Sequence, residues 1–136
     1  VYCTYRSHAV YLAMAGETDA FFAELYGKAT GVAGGKAGSM HLSAPEHGFM
    51  GASAIVGTTI PLAVGSAFAG RMIGNKKIAA VFFGDGAIDE GVFWESLNLA
   101  CVMRLPVIFI CEDNSLAVHS FDHARHGYRS IAKIVA

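Results

Sequence analysis

The hydrophobic positions fall into two kinds of pattern. Ile78-Ala-Ala-Val-Phe-Phe83 and Val107-Ile-Phe-Ile-Cys111 are short, unbroken apolar runs, the first closed by Gly84-Asp-Gly86 and the second opened by Pro106. Strands buried on both faces read this way. Between the two runs Val92, Phe93, Ser96, Leu97, Leu99, Ala100 and Met103 recur at spacings of three and four. That periodicity predicts a helix over roughly 89–103, with Asp89 as its cap. Strand, helix and strand make one βαβ unit, whose crossover is almost always right-handed. The fold class expected is therefore α/β, with a parallel sheet flanked by helices.

The remaining pattern is weaker. Thr18 to Tyr26 reads as a short helix capped at Thr18 and closed by Gly27, and the half-glycine segment from Gly31 to Gly38 reads as loop. A short strand is expected over Ser39-Met-His-Leu42. Residues 57–73 carry Gly57, Ala63, Gly65, Ser66, Ala67, Ala69 and Gly70 around Pro61. Small residues of that kind let a helix approach another backbone closely, either inside the domain or across a subunit interface. No internal repeat or low-complexity linker interrupts the chain.

Composition sharpens this picture. Of 136 residues 54% are hydrophobic and only 15% charged, where about 25% charged is usual. A single small domain leaves about a third of its unfolded surface exposed, so a chain this apolar is expected to cover more of it against other protein. An obligate subunit is the expectation. A net charge of −1, with ten Lys and Arg in all, argues against nucleic acid, and no apolar stretch approaches the roughly 18 residues of a membrane span. Three cysteines (Cys3, Cys101 and Cys111) have no ligand or disulfide spacing and favour a reducing compartment. A start at Val1 and a stop inside the helix-like run 130–136 suggest that residues 1–136 are part of a single domain truncated at both ends.

The chemistry concentrates at strand ends. Gly84-Asp-Gly86 fails the GxGxxG dinucleotide pattern, because Asp89 stands where the third glycine belongs. The segment around Lys36 fails the phosphate-loop pattern, with Thr30 and Ala37 at two defining positions. What remains is Asp85 between two glycines at the carboxyl end of a strand, the edge of an α/β sheet where ligands bind. Asn114 follows the next strand, roughly 30 residues on, which is the length of one crossover. A carboxylate and an amide oxygen are hard ligands, and two of them with phosphates and water are how Mg²⁺ is usually held. The pair reads as a magnesium diphosphate site, against the plainer reading of Gly84-Asp-Gly86 as a tight turn.

Gly84-Asp-Gly-Ala87 through Asn114 resembles the thiamine diphosphate motif. With Tyr5-Arg-Ser-His8, Gly34-Gly-Lys-Ala-Gly-Ser-Met-His41, Ala54-Ile-Val-Gly57 and Leu105-Pro-Val-Ile-Phe-Ile-Cys-Glu112, the chain is similar to the alpha subunit of the decarboxylating component of 2-oxo acid dehydrogenase complexes. Pyruvate, branched-chain 2-oxo acid and acetoin dehydrogenases are its familiar members. The resemblance implies a thiamine diphosphate-binding fold, and thiamine diphosphate with Mg²⁺ as cofactors. It implies that Tyr5 and Arg6 contact the diphosphate, that Gly86 and Ala87 offer it backbone amides, and that backbone groups of Ala54 and Val56 hold the aminopyrimidine. Asp85 and Asn114 would bind Mg²⁺ together with the carbonyl of Leu116.

The same resemblance implies decarboxylation of a small 2-oxo acid with transfer of the acyl group to a lipoyl group. The activating glutamate is expected on a partner beta subunit in an α2β2 assembly, and the acceptor on a separate lipoyl acyltransferase. The compartment implied is the cytoplasm, or the mitochondrial matrix in a eukaryote. Departures are Asp113 before Asn114, where the family has a second asparagine, Leu116 in place of an aromatic, and the divergent segment 118–126. His119, His123 and His126 are expected in a solvent-exposed loop, while His8 and His41 could serve diphosphate, substrate or structure. A carboligase of transketolase type and a non-catalytic cofactor-binding remnant are the alternatives.

Overall fold

The computed structural model describes all 136 residues. Four strands, β1 (Tyr2–Thr4), β2 (Gly51–Ser53), β3 (Ala79–Gly84) and β4 (Val107–Glu112), form a parallel sheet in the order β2-β1-β3-β4. Helices α1 (His8–Ala15), α2 (Thr18–Leu25), α3 (Thr59–Met72) and α4 (Gly91–Val102) make the connections. A two-stranded antiparallel hairpin, β5 (Leu116–Ala117) and β6 (Ser120–Phe121), leads into the short helices α5 (Asp122–Arg125) and α6 (Ile131–Val135). The α/β class and the parallel sheet are as the apolar pattern implies.

The predicted βαβ unit is present as β3, α4 and β4. Strands β3 and β4 pair from Ala79 opposite Val107 to Gly84 opposite Glu112. Val81 and Phe83 of β3 pack with Ile60, Ala63, Val64 and Ala67 of α3 and with Phe93 and Ala100 of α4. Each large apolar side chain buried there contributes about 1.5–3 kcal/mol. Strand β4 departs from the expectation of full burial: it is the sheet edge, and Ile108 is half exposed. A second core of Cys3, Tyr11, Phe21, Leu42, Ala44 and Phe49 lies where α1 and α2 meet β1.

Four local expectations are corrected, the first being the cap of α2: Glu17, not Thr18, precedes the helix. Ser39, Met40 and His41 form turns rather than a strand, because Gly38 takes a positive φ and the amides of Ala37 and Gly38 are drawn to the side chain of Glu24. Asp89 is not the cap of α4: residues 85–89 wind into a 3₁₀ turn, Glu90 stands at the N-cap, and the Asp89 carboxylate is engaged elsewhere. The small-residue helix serves the interior on one face only. Ala63 and Ala67 pack in the core, while Gly65, Ser66 and Ala69 share the outward face with the exposed Leu62, Phe68 and Met72.

Tyr11 is fully buried, stacked on Phe21 at 5.7 Å and edge-on to Phe49 at 5.4 Å, yet its hydroxyl has no hydrogen-bond partner. An orphaned hydroxyl in a core costs about 1–3 kcal/mol. Tyr11→Phe should therefore leave thermal stability unchanged or raise it, as read by circular dichroism of the full-length protein. A clear loss would show that the hydroxyl is bonded.

Candidate functional site at the carboxyl edge of the sheet

Because all four strands run parallel, their carboxyl ends lie on one edge. From β1 the chain connects to β2 on one side, whereas from β3 it connects to β4 on the other. The strand order thus reverses between β1 and β3, and a crevice at such a reversal is where open α/β sheets bind ligands. A cleft of about 370 Å³ opens there. Three arms line it: Tyr5 and Arg6 after β1, Ile55, Val56 and Gly57 after β2, and Asp85, Gly86 and Ala87 after β3. Asn114 and Leu116, beyond β4, complete the wall.

Eight of the nine residues expected at the site therefore border one cleft. Ala54 does not line it, although its neighbours Ser53 and Ile55 do. Val56 is half exposed, so core packing is not its role. The Arg6 guanidinium lies over the Tyr5 ring, 5.2 Å from its centroid, and Nη2 donates to the Tyr5 hydroxyl at 3.1 Å. This pre-orders a cation on the cleft wall.

Opposite it, Gly84 is extended, residues 85–89 turn, and the turn is pinned by Trp94 Nε1 donating to the Ile88 carbonyl at 2.9 Å. A Cβ on Gly86 would stand 2.8 Å from that of Ala117, so the β5–β6 hairpin lies directly on this turn. Gly86→Ala should push the hairpin away at a cost of about 1 kcal/mol. The expected reading is a lower melting temperature with faster amide exchange at Leu116 and Ala117.

Asn114 Oδ1 accepts from the Leu116 amide at 3.0 Å, and Asp113 Oδ1 from the Ser115 amide at 2.8 Å. These bonds hold Ser115 in the left-handed region at φ 59° and set Asn114 and Leu116 on the wall. Asp85 is only 4% exposed, and its Oδ2 accepts from Arg125 Nη2 at 2.5 Å. The same guanidinium bonds Asp89 through Nη1, and His126 Nε2 lies 2.9 Å from Asp89 Oδ1. Nearby, burial and then the charges of Asp113 and Asp85 push the Cys111 thiol up to about 11, which keeps it protonated and unreactive.

Arg125 and Asp89 are the site-edge residues that the sequence reading missed. The histidines divide: His119 and His123 are exposed as expected, whereas His126 has a side chain only 12% exposed, bonded to Asp89 and stacked on Tyr128. Its loop folds back onto residues 85–89, and that fold-back buries it. His41 is exposed, and His8 Nε2 bonds the Ser39 carbonyl at 2.9 Å, a structural tie.

The model of the dehydrogenase E1 component family matches residues 1–133. The chain belongs to that family. It is 45% identical over 111 residues to the alpha subunit of an acetoin:2,6-dichlorophenolindophenol oxidoreductase of Bacillus subtilis (strain 168), covering 82% of this chain and 33% of that one. With the pyruvate dehydrogenase E1 component subunit alpha of Zymomonas mobilis it shares 41% over 114 residues, 84% of this chain and 32% of that one. The corresponding subunit of Porphyra purpurea is 36% identical over 137 residues, 96% of this chain and 40% of the other. The chain thus spans about a third of the length of the first of these relatives. Related subunits are named as mitochondrial in Solanum tuberosum and chloroplastic in Arabidopsis thaliana.

Membership in the E1 family implies thiamine diphosphate, and the residues present fit it. Asp85 sets a buried carboxylate on the cleft wall, a hard oxygen donor of the kind Mg²⁺ takes. Gly84 has no atom within 4 Å of where a Cβ would stand, so the backbone entering the turn is open to approach. Arg6, exposed in the same cleft, supplies positive charge for an anionic group.

Proposed function

We propose that this chain is the diphosphate-holding part of the alpha subunit of a thiamine diphosphate- and Mg²⁺-dependent 2-oxo acid dehydrogenase. The observation that carries the reading is the convergence of Tyr5, Arg6, Asp85, Asn114 and Leu116 on one cleft at the sheet's switch point, in a chain of the E1 family. Asp85, Asn114 Oδ1 and the Leu116 carbonyl would hold Mg²⁺, three oxygen donors that leave room for phosphates and water. Arg6, steadied by Tyr5, would neutralise the diphosphate as a fixed fork of donors. Gly86 and Ala87 would add backbone amides, and the backbone of Ala54 and Val56 would face the aminopyrimidine. Bound thiamine diphosphate supplies carbanion chemistry for decarboxylating a small 2-oxo acid. The chain's own part is to bind, to orient and to keep the metal's charge beside the diphosphate.

The reading extends to partners. Leu62, Phe68, Met72 and Ile73 leave the outward face of α3 and its end apolar and exposed, beside Leu99 and Val102 of α4. Contiguous apolar surface of this kind marks protein contact. A beta subunit supplying the activating glutamate in an α2β2 assembly, and a lipoyl acyltransferase as acyl acceptor, are the partners proposed. The compartment proposed is the cytoplasm or an organelle interior, and no helix is long and apolar enough to cross a membrane. Full-length alpha and beta subunits should together release carbon dioxide from pyruvate or another small 2-oxo acid, only when thiamine diphosphate and Mg²⁺ are both added. Turnover of a sugar-type acceptor instead would favour a carboligase, and cofactor binding without turnover a non-catalytic remnant.

A further inference from the structure

One side chain that meets Asp85 without lining the cleft serves neither the sheet nor the proposed cofactor contacts. Arg125 comes from α5, 40 residues after Asp85, and its guanidinium bonds both Asp85 and Asp89 while Nε donates to the Ser120 carbonyl at 3.3 Å. Its side chain and that of Asp85 are 12% and 5% exposed. Asp85 also borders a second cleft, shared with Asp113, His126 and Arg129. The carboxylate therefore stands in a wall, with the metal-side cleft before it and the Arg125 segment behind.

We propose that Arg125 is the resident counter-cation of Asp85, and that a divalent metal must displace it to bind. The proposal rests on the reading of Asp85 as a metal ligand. A carboxylate this buried is costly when unpaired, so the cofactor-free chain needs a positive charge on it. Two cations cannot share that carboxylate without strong repulsion in a site so far from water. Asp89 makes the exchange affordable, because it keeps its own bond to the guanidinium after Asp85 is given up, and His126 stays on its other oxygen. The segment 120–126 remains attached while one ion pair is traded for the metal. A metal competing with a contact formed about nine-tenths of the time binds about tenfold more weakly than to a free ligand. Arg125 thus sets the metal's affinity and protects Asp85 when the metal is absent.

The test is calorimetric titration of Mg²⁺, at saturating thiamine diphosphate, into the assembled full-length enzyme. Arg125→Gln should tighten Mg²⁺ by about tenfold, and Arg125→Lys, which keeps the charge but cannot bridge both carboxylates, should fall between it and wild type. Arg129→Gln removes an exposed charge of the same cleft that has no bond to Asp85, and should change affinity by less than about twofold. Unchanged or weaker Mg²⁺ binding in both Arg125 variants would overturn the proposal, as would an equal gain in Arg129→Gln, which would make the effect one of net charge. If wild type itself takes up no Mg²⁺ with thiamine diphosphate, the site assignment fails rather than the exchange. The Lys variant retains the cation on Asp85, so a misfolded Gln variant would still leave a readable comparison.

Discussion

Asp85→Ala should weaken binding of thiamine diphosphate and Mg²⁺ to the assembled enzyme by at least about tenfold, on the order of 1.4 kcal/mol, with activity falling alongside. Asp85 is the only charged ligand assigned to the metal, and its loss leaves the cation one side-chain amide and one carbonyl. Mg²⁺ surrenders its water reluctantly, so a missing carboxylate harms it far more than a missing neutral contact. Asp85→Asn keeps the size and one oxygen but not the charge, and should show most of the same loss. The structure bears on the stability of these variants too. Arg125 loses one partner but keeps Asp89, so the cofactor-free assembly should stay folded and the binding comparison remain valid. Isothermal titration of cofactor and metal into wild type and the two variants measures this. Equal affinities would reduce Gly84-Asp-Gly86 to a turn and remove the main support for the proposed function.

How much of this site could be read from the sequence follows from how each part is held. Asp85 and Asn114 were legible because β3 and β4 announce themselves as apolar runs between breakers, and parallel pairing then delivers the residues after Gly84 and Glu112 to one edge. Tyr5, Arg6 and Val56 were reached through the family resemblance alone. Their strands, Tyr2–Thr4 and Gly51–Ser53, are three residues long and owe their existence to pairing with each other rather than to any pattern of their own. Helix α1 was not foreseen either, since it has no side-chain cap and only Tyr11 fully buried, so it presents little amphipathic stripe. Arg125 was beyond reach for a different reason. An ion pair between residues 85 and 125 depends on a hairpin and a four-residue helix folding back, and no local spacing encodes that. Asp89 illustrates the cost of reading locally: it has the chemistry of a cap, but a stronger partner takes it.

The largest effect on stability should come from the glycine-rich loop, through a residue that carried no signal in the sequence. Glu24, the penultimate residue of α2, is 1% exposed and accepts four backbone hydrogen bonds: Ala33 at 2.9 Å and Gly35 at 2.8 Å on Oε2, Ala37 at 2.6 Å and Gly38 at 3.0 Å on Oε1. These amides have no strand or helix to satisfy them, so the carboxylate takes the place of secondary structure for the loop. Burial pushes the acid's pKa up, but the four amides outweigh it and hold the group below the usual carboxylate range. Gly31 closes the arrangement: a Cβ there would stand 2.6 Å from the Glu24 Cα and 2.7 Å from its backbone nitrogen. Backbone cannot yield as a flexible side chain can, so Gly31→Ala should cost about 3 kcal/mol or more. Glu24→Gln should also destabilise, because its amide nitrogen points donor at donor. A folded pKa below the unfolded one contributes stability above the unfolded value and loses it as pH falls through the folded value. Wild type should therefore lose this contribution below about pH 4, whereas Glu24→Gln should lack it throughout and show a flatter acid limb. The loop also ties to the site, through the bond from His8 to the Ser39 carbonyl two residues beyond Arg6. Both substitutions should consequently loosen the Arg6 arm and weaken thiamine diphosphate binding. Thermal melts of the full-length assembly from pH 7 to pH 3, beside cofactor titrations, decide it: wild-type melting in Gly31→Ala would mean that the loop folds without Glu24's embrace.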